Sequence, residues 1–261
     1  MTTNVNNKYI IENLISKGGF GIVFKGYKIK NKQPVAIKIN YDEHNVLKQE
    51  STILHYLNNK KCNNVPTIFY YGIWENNPIM VMPYYEQSLN DFIVNHNTSS
   101  VIKNLFYQSL HVMKFIHEHF IIHRDIKPDN IMIYNNTIIF IDFGMANFYK
   151  SDDGFLPNID NDSITGSPLY VSHFVHQGNS PSVRDDLISL CFVFLKFHLN
   201  DLPWILPNEY SHSLYNPCHT YLIDEKIKFP YDCDIEYIAA ILKYCYLLDY
   251  NQTIDYEVII K

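Results

Sequence analysis

A chain of 261 residues can bury one large core or two smaller ones, and nothing in its length calls for more than one functional unit. Hydrophobic residues at 47%, charged at 18% and aromatic at 15% exclude a disordered chain, and a formal charge of −6 excludes a global attraction to nucleic acid or anionic membrane. Five cysteines, Cys62, Cys191, Cys218, Cys233 and Cys245, form an odd set without CxxC or Cys/His ligand spacing and point to free thiols in a reducing interior.

The start, Met1 to Lys8, is polar and lacks a basic, apolar and small-residue series, so secretion is not expected. Tyr9 to Ile15, Ile22 to Ile29 and Pro34 to Asn40 read as an antiparallel meander, with Asn31-Lys32 turning between the last two. Val46, Leu47, Ile53, Leu54 and Leu57 recur at helical steps and predict an amphipathic helix on that sheet.

From Leu89 the pattern turns helical, with a long segment over Val101 to His119. It is interrupted by short strands at Ile131 to Tyr134 and Ile138 to Ile141, which Asn135-Asn136 joins as a tight hairpin. Phe148 to Ile164 carries Asp152, Asp153, Asp160 and Asp162 and reads as a loop. Leu187 to Leu199 is the most apolar stretch, interrupted by Lys196 and His198, and too short to span a bilayer. The change from mostly strand to mostly helix near Pro83 to Gln87 predicts two lobes with a cleft.

Between the first two strands, Ser16-Lys17-Gly18-Gly19-Phe20-Gly21-Ile22-Val23 can bring backbone N–H groups close to a phosphate chain, although a glycine-rich hairpin needs no ligand. Lys38, inside the apolar run Val35-Ala36-Ile37-Lys38, needs an anion to offset its desolvation. Glu50 lies in the middle of the apolar stripe of the following helix and supplies one.

His123-Arg124-Asp125-Ile126-Lys127-Pro128-Asp129-Asn130 concentrates ionisable groups behind apolar Phe120 to Ile122. There Asp125 can orient or accept the proton of an attacking hydroxyl, Lys127 can neutralise a transferring phosphoryl group and Asn130 can ligate a metal. Asp142-Phe143-Gly144 follows the strand Ile138 to Ile141 and offers a hard-oxygen ligand suited to magnesium. The histidines lack metal-site spacing, His117 and His119 included.

In this order and spacing the motifs resemble the eukaryotic protein kinase family over essentially the whole chain. The resemblance implies an α+β, two-lobed fold: a small antiparallel-sheet lobe with one main helix over residues 8–83, then a larger, mostly helical lobe over residues 84–261 with an activation segment at 142–172. It implies ATP and magnesium as cofactors. Ser16, Gly18, Gly21 and Val23 would cover the nucleotide, Lys38 would hold its phosphates, and Glu50 would orient Lys38. Met82 would guard the adenine pocket, Pro83, Tyr84 and Tyr85 would supply hinge groups, and Ala36 and Met132 would sandwich the ring. Asp125 becomes the catalytic base, and Asn130 and Asp142 hold magnesium.

Lys127 together with Thr165 resembles the serine/threonine branch and implies a protein substrate with serine or threonine hydroxyls. Gln87 to Phe92, Thr165-Gly166-Ser167 leading to Tyr170-Val171-Ser172, Arg184 to Leu190 with Leu202-Pro203-Trp204, and Glu236-Tyr237 through Tyr256 resemble casein kinase 1 and its vaccinia-related relatives. The implied enzyme is a constitutively active intracellular monomer, cytoplasmic or nuclear, of cellular or viral origin. The chain departs from the pattern at Ser16, Leu169, Cys191 and Tyr246, and Leu169 removes a basic residue that would read primed or acidic sites. The alternatives are a pseudokinase scaffold and a small-molecule or lipid kinase. Arginine occurs only as Arg124 and Arg184, both inside motifs. The acidic loop either docks near Arg124 or is simply solvated.

Overall fold

The computed structural model describes residues 3–18, 21–41, 46–159, 164–205 and 218–260. Gly19 and Phe20 of the glycine-rich segment, and Asp160 and Asp162 of the acidic loop, lie outside the described residues. In chain order the elements are β1 (Thr3–Val5), β2 (Tyr9–Gly18), β3 (Gly21–Lys28), β4 (Pro34–Ile39), α1 (Val46–Asn59), β5 (Tyr70–Trp74), β6 (Asn77–Pro83), β7 (Gln87–Ser88), α2 (Leu89–Asn95) and α3 (Ser99–Glu118). They continue with β8 (Ile121–Ile122), β9 (Ile131–Tyr134), β10 (Thr137–Phe140), β11 (Asn147–Phe148), β12 (Lys150–Ser151), β13 (Gly154–Phe155), α4 (His173–His176), α5 (Val183–Leu199), α6 (Cys218–Asp232), α7 (Glu236–Tyr246) and α8 (Tyr256–Ile259). Short 3₁₀ turns form at Pro128–Asn130 and Phe143–Met145.

Two compact units result. The first joins the chain up to Ser88 with Met132–Met145. Its six-stranded sheet has the order β1-β2-β3-β4-β6-β5, and every pairing is antiparallel. Val5, Tyr9, Ile11, Val35, Ile37, Ile39, Ile79 and Val81 form one core on this sheet. The polar amino terminus contributes the unexpected edge strand β1, because Val5 is fully buried. On α1, Leu47, Glu50, Ile53, Leu54 and Leu57 face inward, as their spacing predicts.

The unit extends past the expected boundary at Pro83 because β7 pairs with β9, Ser88 opposite Met132 and Gln87 opposite Ile133. The β9–β10 turn is Asn135-Asn136 with φ of 50° and 60°, the left-handed pair that a tight hairpin requires.

The second unit comprises Leu89–Ile131 with Ala146–Lys261. At its centre α5 is buried on every side from Val183 to Leu195, with Arg184, Asp185 and Asp186 in its first turn and an almost wholly apolar run from Leu187 on. α3 and α7 pack on it through stripes that include Phe106, Leu110, Met113, Ile238 and Leu242. The segment expected to be all loop after Phe148 instead contains a small hairpin. β12 pairs with β13, and Gly154 takes φ +116° at the turn. Among the described residues no helix is long and apolar enough to cross a membrane.

Candidate active site

In the first unit, β2 and β3 form the glycine-rich hairpin, with Ser16 opposite Val23 and Gly18 opposite Gly21. Gly21 is required by the chain itself: its φ is +125° and a Cβ there would lie 2.3 Å from the Ile39 carbonyl oxygen. A Cβ on exposed Gly18 would meet nothing within 4 Å, so space remains open at that glycine.

β3 and β4 bring Val23 opposite Lys38, and β4 and β6 bring Ala36 opposite Met82 and Val35 opposite Pro83. Lys38 Nζ donates to Glu50 Oε2 and to Asp142 Oδ1, both at 2.7 Å. Burial works against the ammonium, but the two carboxylates outweigh it and hold Lys38 above the ordinary lysine range. The backbone N–H of Phe143 also donates to Glu50. Asp142 adopts φ 60°, an uncommon conformation for a non-glycine residue and one that marks functional turns.

Beyond β6, Lys25 Nζ lies 4.5 Å from the Tyr84 ring centroid and 3.8 Å from Glu86 Oε1. Tyr85 packs edge-on to Tyr134 at 5.5 Å, and burial pushes its hydroxyl up to about 12. Met132 sits on β9 opposite Ser88.

In the second unit, the Asp186 carboxylate near the start of α5 holds the chain before Asp125. It accepts from the backbone N–H groups of His123 at 2.7 Å and Arg124 at 2.8 Å. His117 Nε2 lies 3.1 Å from the same carboxylate, and the Tyr256 hydroxyl 2.7 Å from His117 Nδ1. Burial opposes the charge of Asp186, yet its hydrogen bonds and the nearby imidazoles hold it below the ordinary aspartate value. Arg124 takes φ 71°.

Asp125 is 9% exposed and has both oxygens engaged. Lys127 Nζ donates to Oδ2 at 2.7 Å and Asn130 Nδ2 to the same oxygen at 3.1 Å. Asn130 Nδ2 also donates to the Asp125 carbonyl at 2.9 Å, which directs its N–H groups to Asp125 and leaves Oδ1 as its acceptor. On the other side, Ser167 Oγ donates to Asp125 Oδ1 at 2.7 Å.

Thr165, which with Lys127 carries the resemblance to the serine/threonine branch, accepts from Arg124 Nη2 at 3.5 Å. The hydroxyl that meets Asp125 is Ser167's. Its signal was the Thr165-Gly166-Ser167 segment: Gly166, with φ +100° and a would-be Cβ 2.5 Å from the Arg124 carbonyl oxygen, turns the chain so that the second hydroxyl faces Asp125.

Of the departures noted in the sequence, Cys191 and Tyr246 are taken up by packing. Cys191 is fully buried in α5, Tyr246 donates its hydroxyl to the Lys226 carbonyl at 2.6 Å, and the Leu169 carbonyl accepts from Trp204 Nε1 at 2.9 Å. Arg184 lies over the Phe174 ring, its Cζ 3.5 Å from the centroid, and donates to the Leu248 carbonyl. Among the described residues Asp152 and Asp153 of the acidic loop are exposed. Cys62, Cys191, Cys233 and Cys245 are free thiols.

A family model described as the protein kinase domain matches residues 9–254. A protein of Encephalitozoon cuniculi described as a probable casein kinase I homologue is 32% identical over 76% of this chain and 65% of its own length. Casein kinase I homologues 3 and 1 of Schizosaccharomyces pombe are each 30% identical over 75% of this chain, covering 47% and 46% of their lengths. The chain thus spans less than two thirds of the length of each of these relatives.

Proposed function

The chain belongs to the protein kinase domain family, and we propose that it is a serine/threonine protein kinase of the casein kinase I kind, transferring the γ-phosphate of ATP to protein hydroxyls. The observation that carries this reading is the engagement of Asp125 by Lys127, Asn130 and Ser167, which presents one oriented carboxylate beside one cation.

In this reading Asp125 orients the acceptor hydroxyl and takes its proton, while Lys127 offsets negative charge that develops on the transferring group. Lys38, held by Glu50, binds the α and β phosphates. Ser16, Gly18, Gly21 and Val23 cover the nucleotide. Ala36, Met82, Met132 and the backbone of Pro83, Tyr84 and Tyr85 receive the adenine.

Each unit by itself offers a donor of the kind that magnesium takes. Lys38, Glu50 and Asp142 together carry one net negative charge, and Asn130 presents a hard amide oxygen. When bound, the metal would neutralise phosphate charge, with Asn130 and Asp142 as its protein ligands. The preference for serine and threonine is supported by Lys127 together with a hydroxyl residue, Ser167, at Asp125. The scaffold alternative draws on Ser16 and Cys191 among its grounds. The first pairs with Val23 just past a register shift in β2, and the second is a packing residue of α5. We read the enzyme as an intracellular monomer.

Phosphoamino-acid analysis of a labelled protein substrate tests the hydroxyl class. Label on phosphoserine or phosphothreonine is expected, and label on phosphotyrosine or on lipid would overturn the assignment.

A further inference from the structure

Lys226 on α6 has 0% of its surface exposed, and among the described residues no carboxylate pairs with it. A lysine buried without a counterion is costly, and burial alone pushes it well below the ordinary lysine range. Such a group persists where its hydrogen bonds are needed.

Those bonds converge on one short segment. Lys226 Nζ donates to the carbonyls of Pro168 and Val171, each at 2.7 Å, and lies 3.1 Å from His176 Nε2. His176 Nε2 is itself 3.1 Å from the Pro168 carbonyl oxygen. Between these two anchors, the Leu169 carbonyl accepts from Trp204 Nε1 at 2.9 Å. The rings of Phe192 and Trp204, with centroids 5.5 and 5.4 Å from Lys226 Nζ, wall the amine in. Tyr246 fixes the helix below through the Lys226 carbonyl.

Within the segment, Tyr170 and Val171 donate their N–H groups back to the Ser167 carbonyl at 2.9 and 3.0 Å. Ser167 then places its hydroxyl on Asp125. The chain of contacts therefore runs from the buried amine, through two backbone carbonyls and a tight turn, to the carboxylate, with Trp204 holding a third carbonyl between them.

We propose that Lys226 is a positioning residue: with Trp204 it clamps residues 166–171, and so holds Ser167 on Asp125 and shapes the surface that receives the acceptor segment of a protein substrate. This rests on the kinase reading for its consequence, but the clamp itself can be tested without it.

Lys226→Met keeps the length and removes the donors; Lys228→Met, on the exposed face of the same helix, is the control. Hydrogen exchange by mass spectrometry is measured with casein phosphorylation kinetics. In Lys226→Met, exchange over 166–171 should rise about tenfold or more with α3 and α5 unchanged, as expected for losing hydrogen bonds of this type. Casein kcat/KM should fall by a similar factor while the KM for ATP stays within about twofold. Lys228→Met should match the parent in both.

Unchanged exchange over 166–171, or a rise shared equally with α5, would overturn the clamp. So would a parallel rise in both KM values. If the parent chain transfers no phosphate, the kinase reading fails, and the exchange result still decides the role of Lys226. Should Lys226→Met not fold, Trp204→Phe removes the indole N–H, keeps a ring, and is read by the same exchange, with the same outcomes.

Discussion

Ser167 Oγ donates to one oxygen of Asp125 at 2.7 Å while Lys127 Nζ donates to the other at the same distance. The carboxylate is thereby fixed in rotation and partly neutralised, which suits a group that orients an acceptor hydroxyl before taking its proton. Ser167→Ala should lower kcat by roughly tenfold to a hundredfold, the range for losing one hydrogen bond to a charged group, and Ser167→Thr should keep most of it. Steady-state kcat at saturating ATP reads the difference. A Ser167→Ala enzyme as fast as the parent would remove that hydroxyl from the reaction.

The Lys38–Glu50 pair separates stability from activity. Glu50 is 1% exposed, so Lys38→Met leaves an uncompensated buried carboxylate and should destabilise the fold by about 3–5 kcal/mol. Adding Glu50→Leu should recover most of the melting temperature without restoring phosphate transfer. An unchanged melting temperature in Lys38→Met would mean that the pair carries no stability.

His173 makes the fold sensitive to mild acid. Burial, helped by Arg184 and Lys226, lowers its imidazole to about 4, and among the described residues its buried Nδ1 has no hydrogen-bond partner. An unfolded histidine takes up its proton near about 6.5, so from there down to about pH 4 the unfolded chain binds a proton that the folded chain refuses. Stability from this group is therefore complete above that window and falls as the pH falls through it. The ring lies 3.9 Å from Phe174 and 4.5 Å from Tyr246, contacts that phenylalanine can also make. His173→Phe should thus melt near the parent temperature at about pH 7 and lose less on going to about pH 5. Equal losses in the two proteins would assign the acid sensitivity elsewhere.

Which contacts were legible in the sequence follows from their range. Lys38 and Glu50 could be paired before any coordinates because each broke an apolar pattern that only the other could excuse, and Asn135-Asn136 announced its turn by residue type alone. Ser167 was harder. It reaches Asp125 across 42 positions, and Thr165 is chemically as suitable, so only the backbone turn at Gly166 separates the two. Lys226 is missed for its range: it interrupts an apolar stripe of Leu222, Ile223, Phe229 and Pro230 on α6, but no residue near it in sequence supplies its partners, which lie 50 to 58 positions away. Val5 and the β12–β13 hairpin were missed for a simpler reason, because a single apolar residue or a two-residue strand has no periodicity to read.

The central claim is tested most directly by transfer of labelled γ-phosphate from magnesium-ATP to casein, comparing the intact chain with Asp142→Ala. Incorporation by the intact chain that requires magnesium and falls to background in Asp142→Ala is the predicted result. Equal incorporation by both proteins, or none by the intact chain, would contradict it.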